Sequence, residues 1–248
     1  MAIVIKNAGQ IQKMRKSCAL VKETLLLLGE AITEGITTRE LDNIAVKYLQ
    51  SQGAKPSFKN YRGYPKSICV SINEEVIHGI PGLRKLKRGD IVSVDIGAYF
   101  DGYHGDAART FAVGQVSHEA QRLIDVTRQS FFEGIKYALK GRFLYEISAA
   151  IQNYVEANGF SVVREFIGHG IGSALHEDPE VPNYRQKIKG PRLMPGMTLA
   201  IEPMVNTGSH EVVILNDDWT VVTADGGLSA HYENTVLITE NEPEILTT

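Results

Sequence analysis

The chain has 248 residues, of which 43% are hydrophobic and 22% are charged, and its formal net charge is −3. This length can bury a substantial core in one large domain or two small ones. The composition is ordinary for a globular protein, and the slightly acidic balance argues against a generally basic nucleic-acid-binding protein.

The cysteines and the apolar runs indicate the compartment. Cys18 and Cys69 each lie in an apolar context without CxxC spacing, so we expect no disulfide and a reducing environment. The opening run MAIVIKNAGQ is too short for a signal sequence, and no stretch approaches the ~20 apolar residues of a membrane span. The sequence therefore predicts a cytoplasmic protein that is not embedded in a membrane.

Two amphipathic helices are predicted in the first fifty residues. Apolar side chains between Ile11 and Leu28 recur at spacings of three and four, which is typical of one helical face. Thr37 and Glu40 form a capping box for a second helix, and Gly53 offers its C-terminal stop. After an aromatic-rich loop, strand-like segments follow, with the sequences ICVSI, VIHGI and IVSVDIGAYF.

The second half of the chain repeats this order. A helix is predicted over 117–139, and the segment LYEISAAIQNYVEANG resembles the earlier capped helix. Glu40 aligns with Glu146 at an offset of 106 residues, and Asp95 aligns with Glu202 at an offset of 107. This shared order indicates an internal duplication.

The repeated pattern also predicts the fold class. The order of two helices followed by strands occurs twice in the sequence. This order favours an α+β fold whose strands curve around a central cleft. The absence of a Pro/Gly/Ser-rich linker predicts that the halves, roughly 1–110 and 111–248, share one core in a single domain.

Five side chains are candidate metal ligands. Four acids adjoin strand-like segments and one histidine lies between glycines: Asp95, Asp106, Glu202, Glu233 and His169. Any one of these acids could be a strand end or a cap, but four carboxylates in one cleft would repel each other unless cations neutralised them. Their oxygen and nitrogen atoms suit divalent cations, and two such cations about 3.5–4 Å apart are a usual device for activating water.

Several strings then identify a family. The strings NEEVIHGIPG, DIGAYFDGYHGDAARTF, GHGIG, LAIEP and SAHYENTVLIT resemble those of the type I methionine aminopeptidases, and the resemblance covers essentially the whole chain. It implies the pita-bread fold of creatinase-like enzymes, a curved antiparallel sheet flanked by two pairs of helices. It also implies two divalent cations (Co, Mn, Fe(II) or Zn) held by the five candidate ligands, with Asp106 and Glu233 bridging them.

The resemblance implies an activity as well. It implies removal of the N-terminal methionine from nascent proteins and peptides by a metal-activated water, preferentially when the second residue is small and uncharged. Glu202 would act as general acid and base, His176 would stabilise the oxyanion, and His78 would contact the scissile amide. The implied partners are nascent polypeptide N-termini, with ribosome contact left open, and the implied state is a monomer.

The implied methionine pocket contains two departures from the family pattern. Its residues are Tyr61, Tyr64, Cys69, Trp219, Phe58 and Leu175. Position 58 is often small in the family and position 175 is often phenylalanine, so Phe58 and Leu175 bear on side-chain preference. His231 stands where glutamine is frequent. It lies two residues before Glu233, and on a strand it would face the same side. We expect His104, His118 and His210 to be surface or loop residues. His104 lies two residues before Asp106, so a position near the cations is the alternative for it.

Several functions remain open at this point. A proline-specific peptidase of the same superfamily usually carries an additional N-terminal domain, and the type II methionine enzymes carry an insertion that this sequence lacks. A non-catalytic binding protein on the same fold would typically lack one or more ligands, and all five are present here. The sequence also leaves open an aminopeptidase with altered side-chain preference and a purely structural α+β domain.

Overall fold

The structure is a computed structural model that describes residues 2–248. The helices of this range form two consecutive pairs: α1 (Ala8–Ala31), α2 (Thr38–Ser51), α3 (His118–Ile135) and α4 (Leu144–Ala157), with a short 3₁₀ turn at Tyr61–Gly63. None of these helices combines the length and apolar character that a bilayer crossing requires.

The helix ends follow local hydrogen bonding. The predicted capping box of α2 is confirmed, because Thr37 Oγ1 accepts from the Glu40 amide at 3.2 Å and Glu40 Oε2 accepts from the Thr37 amide at 2.7 Å. The predicted end of α3 at residue 139 is wrong by four residues. The backbone tightens after Ile135 into i→i+3 hydrogen bonds, which include one from the Ala138 amide to the Ile135 carbonyl at 2.9 Å.

The strands are mostly short. In the first half they are β1 (Lys55–Pro56), β2 (Cys69–Ile72), β3 (Glu75–Ile77), β4 (Ile91–Phe100) and β5 (Tyr103–Ala112). In the second half they are β6 (Ser161–Val162), β7 (Gly168–Gly170), β8 (Glu177–Val181), β9 (Thr198–Ile201), β10 (Met204–Asn206), β11 (Val212–Ile214), β12 (Val221–Thr223), β13 (Ser229–His231), β14 (Asn234–Leu237) and β15 (Glu244–Ile245).

All of these strands pair antiparallel. Strand β4 pairs with β5 along one side and with β1 and β2 along the other. A five-stranded sheet has the order β15-β14-β9-β7-β8, and two three-stranded sheets have the orders β13-β10-β6 and β11-β12-β3. The sheet β11-β12-β3 joins the two halves of the chain, because β12 and β3 come from opposite halves.

Two main clusters of buried apolar side chains lie beneath the helix pairs. The first includes Val21 and Leu41 from α1 and α2 together with Val92 and Val94 from β4. The second is built around α3, α4 and the strands of the second half, with Phe131 fully buried in it. Both cysteines are free and buried, so the prediction of no disulfide is confirmed.

Candidate metal centre and substrate cleft

One cavity brings the predicted site residues together. Its volume is about 280 Å³. Every residue that the sequence assigned to the site lines it: Asp95, Asp106, His169, Glu202, Glu233, His78, His176, Phe58, Tyr61, Tyr64, Cys69, Leu175 and Trp219. These residues come from both halves of the chain, so the cavity lies between the predicted repeats.

Strand register places three of these side chains on one face of the first sheet. Asp95 on β4 pairs with Cys69 on β2 and with Ala108 on β5, and Asp106 pairs with Gly97 two residues along β4. Residues two apart on a strand share a face, and diagonal cross-strand neighbours are within reach of each other. Asp95, Asp106 and Cys69 therefore point into the same space.

The second half supplies the other ligand candidates around β9. Glu202 directly follows β9, His169 lies on β7 opposite Ala200 of β9, and Glu233 directly precedes β14, which pairs with β9 on its other side. Reciprocal backbone hydrogen bonds between Glu233 and Ala108, of 3.0 and 3.4 Å, then join this group to β5. The cluster is therefore assembled by β9 with its two neighbouring strands and by the hydrogen bonds between Glu233 and Ala108, which join the two halves of the chain.

Three of the candidates converge tightly enough to share one cation. One ligand atom each from Asp106, His169 and Glu233 lies within 4.8 Å of the others, and all three residues are buried. His169 Nδ1 lies 2.8 Å from the Gly170 carbonyl oxygen, which can only accept, so Nδ1 carries the proton. The lone pair of His169 is then on Nε2, the atom that faces Glu202 Oε1 at 3.7 Å.

Burial shifts the pKa values of all four carboxyl groups of the cluster upwards. Burial raises the pKa of Asp95 to about 7 despite a lowering contact with Asp106. Burial, followed by nearby carboxylates, also raises the pKa values of Asp106, Glu202 and Glu233 well above their usual range. Asp95 Oδ1 and Asp106 Oδ1 are sealed from solvent and have no hydrogen-bond partner among residues 2–248. Such buried oxygens are suitable ligands for a hard or borderline divalent cation.

The two predicted substrate histidines both line the cavity and have different neighbours. His78 follows β3 in a left-handed conformation, with φ 61°, and packs edge-on against Phe166 and Trp219 at centroid distances of 5.7 and 6.2 Å. His176 Nδ1 lies 2.7 Å from the Tyr61 hydroxyl, and its ring lies 4.1 Å from that of His169. Desolvation lowers the pKa of each, to about 4, so both imidazoles are neutral at pH 7.

An apolar pocket adjoins the cluster. Phe58, Tyr64, Cys69 and Leu175 are buried in one hydrophobic group, against which Trp219 packs with partial exposure. The Tyr64 hydroxyl donates to backbone carbonyls, Gly79 at 3.0 Å and Ile68 at 3.1 Å, so its ring is held in place and its polar atom is satisfied. The pocket therefore presents carbon and sulfur to whatever enters it.

Sequence reasoning missed several residues around the cavity. Arg62, Ile77, Phe166 and Ile167 also line it. They lie beside predicted site residues in the chain, but no spacing rule distinguishes them from ordinary core or loop positions. Arg109 was missed too. This largely buried guanidinium donates to the Glu233 carbonyl and, at 2.6 Å, to Asn234 Oδ1 behind the cluster.

The interpretation of His104 as a surface or loop histidine is wrong. It lies half-buried on β5, with Nδ1 2.9 Å from Ser57 Oγ and its ring 4.7 Å from Tyr99. The alternation of β5 points its side chain to the same face as Asp106, two residues on. His118 is exposed at the start of α3, and His210 is in a loop, as expected.

His231 lies where its spacing from Glu233 indicates. It is 1% exposed on β13, and its Nε2 is 3.7 Å from Glu202 Oε2. Glu202 thus has one imidazole on each side of its carboxylate, His169 and His231.

Comparison with known proteins agrees with this geometry. Residues 12–240 match the model of metallopeptidase family M24. A methionine aminopeptidase from Clostridium perfringens is 59% identical over 99% of this chain and 98% of its own, and methionine aminopeptidase 1 from Bacillus subtilis is 53% identical over 99% of both. The solved methionine aminopeptidase from Thermotoga maritima superposes with a TM-score of 0.97 at 45% identity, covering both chains fully.

These likenesses extend over the full length of the chain and include the pita-bread architecture. The chain therefore belongs to metallopeptidase family M24, within which it resembles the type I methionine aminopeptidases.

Proposed function

We propose that this protein is a metallo-aminopeptidase that removes the N-terminal methionine from polypeptides. The observation that carries the proposal is the single cavity in which a cluster of ligand-type side chains adjoins an apolar, sulfur-containing pocket. A cluster that can hold cations beside a pocket for one side chain suits hydrolysis of the first peptide bond. The full-length likeness to methionine aminopeptidases supports the same activity.

The centre would hold two divalent cations. Asp95, Asp106, His169, Glu202 and Glu233 are the residues that would hold them. The convergence of Asp106, His169 and Glu233 and the sealed, unpartnered oxygens of Asp95 and Asp106 support this assignment. When bound, such cations polarise a carbonyl group and lower the pKa of a water molecule. Co, Mn, Fe(II) and Zn all suit this donor set.

The chain's own side chains would manage the protons. Glu202 would take the proton that the attacking water loses and pass it to the departing amine, as general acid–base catalysis by a carboxylate beside the reacting atoms requires. If the Tyr61 hydroxyl donates to His176 Nδ1, the proton of the neutral ring is on Nε2. That N–H would then donate to the developing oxyanion, and His78 would contact the scissile amide.

The pocket accounts for selection of methionine. A thioether side chain is flexible and polarisable, and it packs well against aromatic rings and sulfur. Phe58, Tyr64, Cys69, Leu175 and Trp219 offer such a surface, and Tyr61 closes the side nearest His176. The free α-amine of the substrate would lie near Asp95, which restricts cleavage to the first residue.

We further infer the physiological setting. The substrates are the N-termini of nascent polypeptides, preferentially those with a small, uncharged second residue, and the enzyme acts in the cytoplasm as a monomer. The two halves, roughly 1–110 and 111–248, act as one catalytic domain because the cavity takes residues from both.

The test uses the full chain, stripped of metal and then supplied with Mn, Co or Fe(II). Release of the first residue is measured from Met-Ala-Ser and Leu-Ala-Ser, with a chelator control and a Glu202→Gln variant. We expect metal-dependent release of methionine, little leucine, and no release by the variant. Leucine release at the rate of methionine would mean that Phe58 and Leu175 have altered the preference. No release with any metal would favour a non-catalytic binding protein.

A further inference from the structure

A nearly sealed ion pair lies behind one wall of the cleft. Lys6 Nζ is 2.6 Å from Glu177 Oε2, and the two side chains are only 2% and 9% exposed. By contrast, the Arg15–Glu244 pair, at the same 2.6 Å, leaves its side chains 39% and 38% exposed. Lysine and glutamate are rarely buried to this degree, because desolvation of both charges offsets most of their attraction. A pair of this kind adds little net stability, so its geometry is the more informative feature.

The lysine end of the pair is anchored to the rest of the protein. The Lys6 amide donates to the Gly196 carbonyl at 2.8 Å, just before β9. Its ammonium group also donates to the Val4 carbonyl at 3.2 Å. The backbone of Lys6 is therefore held to the segment that leads into β9, the strand preceding Glu202, and its ammonium group is held to the Val4 carbonyl.

The glutamate end closes a turn. Glu177 Oε1 accepts from the Ala174 amide at 3.2 Å and from Ser173 Oγ at 3.4 Å. At Gly172 a Cβ atom would lie 2.5 Å from Glu177 Oε1 and 2.6 Å from Lys6 Cε, so the turn packs directly on the ion pair. The carboxylate of Glu177, at the end of the segment 172–177, thus contacts the residues at the start of that segment.

This segment carries two residues of the cleft. Leu175 is 2% exposed in the wall of the apolar pocket, and the His176 ring lies 4.1 Å from that of His169 and reaches the Tyr61 hydroxyl. Ser173 and Ala174, which follow Gly172 in the chain, are exposed, so one side of the turn faces solvent. The ion pair packs against the opposite, buried side.

We propose that Lys6 and Glu177 are positioning residues, whose ion pair fixes Leu175 and His176 relative to the metal cluster. This inference rests on the proposed function, because it assigns the pair a role in oxyanion stabilisation and methionine selection. Neither residue lines the cavity, so both act through the turn. A small displacement of a positioned group reduces the rate strongly, since reacting atoms must be held within a fraction of an ångström.

The first test compares Lys6→Met and Glu177→Gln with the wild-type chain, each loaded with Mn²⁺. We expect kcat for Met-Ala-Ser to fall ~10- to 100-fold in each variant. Discrimination between Met-Ala-Ser and Leu-Ala-Ser should narrow as well, because Leu175 moves with the turn. Mn²⁺ affinity measured by calorimetry should stay unchanged, since none of the five proposed ligands lies in the turn. In amide hydrogen exchange, the segment 170–181 should exchange faster.

The double variant Lys6→Met/Glu177→Gln separates positioning from stability. Removing one partner leaves a buried charge unpaired, so each single variant should unfold at a temperature about 10 °C lower. Removing both charges should reverse most of this fall in unfolding temperature without restoring kcat. Arg15→Met is the control, because it breaks an ion pair of equal length that Arg15 forms with Glu244 and not with the segment 172–177, and its kcat and side-chain preference should match the wild type.

Two results would overturn the proposal. One is recovery of kcat together with the unfolding temperature in the double variant, which would show a stability effect alone. The other is wild-type kcat and discrimination in Glu177→Gln, the variant closest in shape to the native side chain. Failure of the proposed function is a separate outcome, because the wild-type chain itself would then release no methionine.

Discussion

Two histidine side chains flank the carboxylate of Glu202. Its two carboxylate oxygens each lie 3.7 Å from an imidazole Nε2, one from His169 and one from His231. The His231 Nε2 is buried and has no hydrogen-bond partner among residues 2–248. An unsatisfied buried polar atom costs about 1–3 kcal/mol, so a small shift of Glu202 into hydrogen-bonding distance would be favourable. We therefore expect His231 to orient Glu202.

Substitution of His231 tests this expectation. His231→Leu keeps the approximate volume and removes the ring nitrogen, so Mn²⁺ affinity or kcat/KM should fall ~10- to 100-fold, the usual cost of losing a group that orients a metal ligand. His231→Gln keeps a hydrogen-bonding group at similar reach and should retain most of both quantities. Calorimetry with Mn²⁺ and steady-state kinetics measure them. Equal losses in the two variants would mean that the imidazole acts by its shape, not by a hydrogen bond.

At the scale of elements, the close approach of strands around β7 positions His169. A Cβ atom at Gly168 would lie 2.3 Å from the Ala200 carbonyl oxygen, and one at Gly170 would lie 2.2 Å from the Asp178 carbonyl oxygen. The glycines on both sides of His169 thus allow β7 to lie between β8 and β9. Any side chain at these positions would separate strands that hold the ligand candidates together.

Gly168→Ala is expected to destabilise the fold and the metal centre together. The added methyl group meets backbone instead of a flexible side chain, so the cost should be about 3 kcal/mol, with a weaker affinity for Mn²⁺. Thermal unfolding and calorimetry measure the two effects. Gly82→Ala is the control, because its Cβ would meet nothing closer than 3.8 Å. Wild-type behaviour of Gly168→Ala would refute the role of close strand packing.

At the scale of the whole molecule, the titrating groups of the cleft determine how stability depends on pH. The carboxyl groups have raised pKa values, about 7 for Asp95, so the folded protein keeps protons that the unfolded chain loses above about pH 4. The buried histidines act in the opposite sense. The pKa of His169 and of His231 is lowered to about 3, so their destabilising effect begins only as the pH falls below about 6.5. Above that pH the carboxyl groups act alone.

The metal-free protein should therefore lose stability as the pH rises from about 6.5 towards the raised pKa values of the carboxyl groups. For each carboxyl group that is protonated in the folded protein and ionised in the unfolded chain, the free energy of unfolding should fall by about 1.4 kcal/mol per pH unit. The unfolding temperature should then fall by about 3 °C or more per pH unit. Bound cations require deprotonated ligands, so the stabilisation by Mn²⁺ should grow over the same interval. Differential scanning fluorimetry of both forms across this range measures the effect. A metal-free unfolding temperature independent of pH would show that the carboxyl groups are already ionised.

Much of the site was predictable because its chemistry is expressed in residue types and local patterns. The β4 segment was predicted with its observed bounds, since ten consecutive residues alternate or remain apolar and are followed by a turn. The candidate ligands were recognisable because carboxylates beside apolar runs are costly without a cation. The resemblance to a known family then added the histidines and the pocket, which no periodicity distinguishes.

By itself, the sequence determined the element types, the duplicated order and the identity of the candidate ligands, because each depends on interactions between residues close in the chain. Only the tertiary structure decided which side chains meet. The Lys6–Glu177 pair joins residues 171 positions apart, and the pairing of β4 with β5 places His104 opposite Tyr99 in a half-buried position. Such contacts arise from long-range packing and desolvation, and neither leaves a local pattern in the chain.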